Sequence, residues 1–131
     1  MNLVAFIFSS ALAMAAPEAP QTHSSVEAKA VPAGENMRLE FKINAGNGLH
    51  VNQDAPWSLE LKEAPGLSFS QMKWNKAALD KALPGFSATT IAKPSQTKGV
   101  VSYTLTAFVC TDDKKLCYRD LLKGELPWQK P

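Results

Sequence analysis

Phe108-Val-Cys110-Thr-Asp-Asp-Lys-Lys-Leu-Cys117-Tyr118 holds the only two cysteines of the chain, with six residues between them. Before it runs Val100-Val-Ser-Tyr-Thr-Leu-Thr-Ala-Phe-Val109, rich in β-branched and aromatic residues, and after it Leu116-Cys-Tyr118 resumes an apolar pattern. The polar insert Thr111-Asp-Asp-Lys-Lys115 suits a turn. Together they predict a hairpin with a cysteine at the inner end of each strand. Facing residues of an antiparallel pair lie about 4.5–5.5 Å apart at Cα, which overlaps disulfide geometry, so the two sulfurs can bond. Whether that bond is a staple or a reagent stays open on spacing alone. In the chain-entropy model an eight-residue loop contributes roughly 2.5 kcal/mol, a modest staple.

Working outward, the alternation of Met37, Leu39, Phe41 and Ile43 with Arg38, Glu40 and Lys42 predicts a half-buried strand. Trp57, Leu59 and Leu61 repeat the pattern, and Leu49–Asn52 is a short run between two breaks. A further strand is expected from Leu67 to Trp74, another from Phe86 to Ala92, and a strand-like end through Leu121, Leu122, Leu126 and Trp128. Asn75 to Leu83 has a capping Asn and an apolar face, and reads as a short helix, a single turn or a plain loop. Roughly seven short strands spaced by turn signals predict an all-β sandwich of the immunoglobulin-like kind.

Leu3 to Ala16 is uncharged and mostly apolar, yet at 14 residues too short to span a bilayer. It ends Ala13-Met-Ala-Ala-Pro17, which fits cleavage after Ala15. Residues 1–15 are therefore expected to be a signal peptide. Residues 16–36, rich in Pro, Ala and Ser, are expected to be a flexible linker with a solvated His23, and 37–131 the folded domain. No later stretch could cross a membrane, so a periplasmic or secreted chain is expected. An oxidising compartment lets an even cysteine count persist as a disulfide.

Net charge is +2 from 14 basic and 12 acidic residues, interspersed along the chain, which argues against nucleic acid as a partner. The sequence carries no phosphate loop, nucleophile elbow or paired-carboxylate signature, and no cofactor is expected. A metal site on His50, Cys110 and Cys117 lacks a fourth ligand at a recognisable spacing. His50, in Gly48-Leu-His-Val-Asn52, could shuttle protons for thiol chemistry if its run lies beside the hairpin; otherwise it is a partly exposed strand histidine.

These residues resemble the amino-terminal periplasmic domain of the thiol:disulfide interchange reductase DsbD. The resemblance runs from about Met37 to Trp128 and is carried by four parts. They are Gly48-Leu-His-Val-Asn52, Pro56-Trp-Ser-Leu-Glu-Leu61, the strand ending Phe108-Val-Cys110, and Leu116-Cys117-Tyr118. It implies an immunoglobulin-like sandwich whose hairpin cysteines exchange thiols and disulfides with thioredoxin-like periplasmic proteins or a membrane electron carrier. It also implies that Cys110 and Cys117 are the redox pair, with Cys117 the exchanging sulfur. His50 and Asn52 take the place of the family's tyrosines as supporting residues. The turn between the cysteines is one residue longer than in the family, and 75–82, where its aromatic cap would fall, holds no aromatic residue. The alternative is a non-catalytic immunoglobulin-like binding module with a structural hairpin disulfide.

Overall fold

Alternation of side chains across a strand is what builds this fold, and it starts earlier in the chain than Met37. The computed structural model describes residues 22–131 apart from 79, 83 and 84. The expected leader over 1–15 and the first part of the linker lie outside the described residues.

Ser24–Ala33, expected to be tether, is strand β1. Val26, Ala28 and Ala30 pack against the core, while Glu27 and Lys29 face outward. The period of two is present, but it is written in small residues that look like linker. β1 pairs in full with β2 (Asn36–Ala45) across the turn Gly34–Glu35. The remaining strands are β3 (Leu49–Val51), β4 (Ser58–Leu61), β5 (Leu67–Phe69), β6 (Lys73–Asn75), β7 (Asp80–Ala82), β8 (Gly85–Pro94), β9 (Lys98–Thr111) and β10 (Cys117–Gln129).

They form two antiparallel five-stranded sheets. One has the order β1-β2-β8-β5, with β7 also on β8; the other has β10-β9-β4-β6, with β3 also on β9. The protein is an all-β sandwich with its cysteine pair on the β9–β10 hairpin, as the sequence predicts. The core lies between the sheets, built on Met37, Leu39, Phe41 and Ile43 from β2, Trp57, Leu59 and Leu61 around β4, and Val101, Leu105 and Ala107 from β9.

Two local expectations change. The strand expected from Leu67 to Trp74 is two strands in different sheets. The buried Thr90 hydroxyl accepts from the Gln71 amide at 3.1 Å and donates to the Gln71 carbonyl at 2.9 Å, so a side chain takes over the ladder where the chain crosses between sheets. The segment from Asn75 takes the single-turn alternative, and the strand β7 that follows it is not among those expected. The Asn75 side chain accepts from the Ala77 and Ala78 amides, both at 3.1 Å, closing one turn before β7. Pro84-Gly85 leaves too few residues for a helix to propagate.

Candidate thiol–disulfide site

Cys110 and Cys117 are direct partners in the β9–β10 ladder, with Cα atoms 4.1 Å apart and the sulfurs bonded. The Thr111 amide donates to the Leu116 carbonyl at 2.9 Å, which makes the next pair the hydrogen-bonded one and the cysteines a close, non-hydrogen-bonded pair. The turn beyond them is held by its own side chains. Thr111 Oγ1 donates to Asp113 at 2.6 Å, and the same carboxylate accepts from the Lys115 amide at 3.0 Å. These bonds, the Thr111 hydroxyl first, hold the Asp113 carboxyl below the usual carboxylate range. Lys114 sits at φ 57° to close the loop.

Along β9, Val101, Leu105, Ala107 and Val109 face the core, so Cys110 falls on the outer face of its sheet. It is nevertheless 5% exposed, whereas Cys117 is exposed. The difference comes from position. β10 is an edge strand, while β9 is covered on both sides, by β10 and, at this level, by β3.

β3 brings the sequence-predicted histidine to the site. His50 is the direct ladder partner of Cys110 on the side opposite Cys117. Its Nε2 pairs with Asp112 Oδ1, and both side chains are largely exposed. Asn52 continues the ladder by donating its amide to Phe108 O at 2.9 Å. Its carbonyl accepts from Trp57 Nε1 at 2.8 Å and its side chain from the Asp54 amide at 3.2 Å. Asn52 is thus the pivot on which the chain leaves β3 and returns as β4. Together His50, Asn52, Asp54, Cys110, Asp112 and Lys114 border a groove of about 410 Å3.

Sequence reasoning singled out Cys110, Cys117, His50 and Asn52, and placed Asp112 only in the polar turn. Its place on His50 depends on β3 docking against β9, which no local signal carries. His23, expected to be solvated, is stacked on Tyr118 with ring centroids 3.7 Å apart. Its amide donates to the buried Asp120 at 2.7 Å, as does Ser24 Oγ at 2.6 Å. Burial pushes the Asp120 carboxyl up, but these bonds and the His23 ring more than offset it and hold the group below its ordinary range.

Among the described residues no cluster of three or more His, Cys, Asp or Glu is arranged to hold a metal ion, and no helix is long and apolar enough to cross a membrane. Compared with models of known families, with curated proteins and with solved structures, the chain matches none.

Proposed function

We propose that this protein is an exported thiol–disulfide exchange domain in which Cys110 and Cys117 cycle between dithiol and disulfide. The observation that carries this reading is the asymmetry of the pair: one sulfur is reachable and the other covered. Exchange proceeds by attack of one thiolate on one disulfide sulfur through a mixed disulfide, so a site needs one accessible sulfur and one protected resolving sulfur. Cys117 is the exchanging sulfur and Cys110 the resolving one. The shortness of the closed loop agrees with this, because a bond worth roughly 2.5 kcal/mol can be opened without endangering the fold. The charge-free leader over 1–15 and the disulfide fit an oxidising compartment, periplasmic or extracellular. A thioredoxin-like protein or a membrane electron carrier is the fitting partner, reached through Cys117.

The test starts from the reduced full chain and glutathione disulfide. Cys110→Ala is expected to trap glutathione on residue 117, while Cys117→Ala reacts at least about tenfold more slowly, following exposure. The reduction potential is expected to lie above about −300 mV, the region of labile disulfides. A potential well below that value, with no exchange, would leave the bond a structural staple in a binding module.

A further inference from the structure

Resting on the exchange reading, we propose that His50 and Asp112 serve the covered sulfur: the His50 imidazole carries the proton of Cys110 while the mixed disulfide on Cys117 is resolved. Three observations place this role on Cys110 rather than Cys117. The first is register. His50 and Cys117 flank Cys110 on opposite sides of β9. Adjacent strands are about 4.8 Å apart, so His50 is one strand spacing from Cys110 and two, roughly 10 Å, from Cys117. The second is burial. Cys117 is exposed and can exchange its proton with water directly, whereas Cys110, at 5% exposure, needs a relay. The third is the groove, which His50, Cys110 and Asp112 border together.

Asp112 is the positioning residue. By accepting a hydrogen bond from Nε2–H it fixes the tautomer and leaves Nδ1 as the basic nitrogen. The other charged side chains bordering the groove are Asp54 and Lys114. β2 and β8 also touch β3. Lys42 of β2 is exposed on the outer face of its own sheet, Arg38 and Glu40 bond each other, and the only charged residue of β8 is Lys93.

The step balances. Cys117 thiolate attacks a partner disulfide, forming the mixed disulfide and releasing one partner thiolate. Neutral His50 then takes the Cys110 proton, and the Cys110 thiolate attacks Cys117 Sγ. The Cys110–Cys117 bond forms, the bond to the partner breaks, and the second partner thiolate leaves with the electron pair and takes the proton from His50. The dithiol is oxidised by two electrons and the partner disulfide is reduced. In the opposite direction protonated His50 donates to Cys110 as it leaves.

The test uses reduced full-chain protein and glutathione disulfide, quenched in acid and followed by mass spectrometry. In wild type the Cys117–glutathione species is expected to be short-lived. In His50→Ala it forms at the wild-type rate but resolves about a hundredfold more slowly, the lower end of the usual range for a general base. Added imidazole restores resolution, because a free base can take the Cys110 proton in place of the missing side chain. Asp112→Asn slows resolution less than His50→Ala does, and that slowing too is relieved by added imidazole. Unchanged resolution in His50→Ala, or slowing that imidazole does not relieve, overturns the inference while leaving exchange intact. Failure of the wild-type protein to form the mixed disulfide at all overturns both.

Discussion

Asp120 is 5% exposed and ionised at neutral pH, because hydrogen bonds replace the water it has lost. Its partners come from 96 and 97 residues away, the Ser24 hydroxyl and the His23 amide and ring. The carboxylate thus ties the edge strand of one sheet to the edge strand of the other. Its depressed pKa gives a sign to the pH dependence. The stabilisation is fully present above the unfolded carboxyl value of about 3.9 and is lost as pH falls through the lower folded value. Asp120→Asn is therefore expected to cost about 1–3 kcal/mol at neutral pH, the range for a broken buried hydrogen-bond set. The deficit should shrink below about pH 3.9, where wild type loses the same contribution. Urea unfolding followed across that range checks it; a constant deficit would mean that the carboxylate charge contributes nothing.

The β9–β10 hairpin pairs thirteen residues on each strand, from Cys117↔Cys110 to Gln129↔Lys98, and its composition fits its edges. Pro127 falls in the same phase as Cys117, the one whose amides point away from β9, so its missing N–H costs no ladder bond. Two aromatics lean over the glycines opposite them. A Cβ on Gly124 would come within 2.4 Å of Tyr103 Cζ, and one on Gly99 would lie 2.8 Å from Trp128 Cζ2. Tyr103 also meets Phe41 edge-on at 5.3 Å, so it is held from the far sheet and cannot yield freely. Gly124→Ala is accordingly expected to cost about 1–3 kcal/mol, the overpacking range, despite the better strand propensity of alanine over glycine. Chemical denaturation measures it, and pairing with Tyr103→Ala should recover much of the added cost if the clash is the cause.

For the molecule as a whole, the disulfide is peripheral to stability. Among the described residues, eleven large side chains are essentially fully buried, Trp57, Phe41, Phe86 and Leu105 among them. Each such burial contributes about 1.5–3 kcal/mol, so the core outweighs a bond of roughly 2.5 kcal/mol many times over. The bond also lies on the outer face of its sheet, away from that core. Reduction, or the double change Cys110→Ala and Cys117→Ala, is expected to lower stability by no more than about 2.5 kcal/mol and to leave the β-sheet circular dichroism unchanged. Loss of the sheet signal on reduction would show the bond to be a fold requirement and would weigh against a redox cycle.

Much of this was legible in the chain itself. Strict alternation in Met37–Ile43, Trp57–Leu61 and Val101–Val109 determined strands with one buried face, and two such faces require a sandwich. The spacing of Cys110 and Cys117 around a polar turn determined their pairing, because a hairpin sets facing residues within bonding reach. β1 was hidden because Val26, Ala28 and Ala30 give a weak apolar signal that acquires meaning only beside β2. The split of 67–74 between sheets was hidden for a related reason, since it depends on Thr90 docking its hydroxyl against Gln71 from 19 residues away. The same holds at the site. Local sequence placed two sulfurs on a hairpin, but only the tertiary structure decided that β3 covers one of them and not the other. Covering a strand is a property of its neighbour, and His50 comes to lie beside Cys110 through a strand pairing between positions sixty apart in the chain.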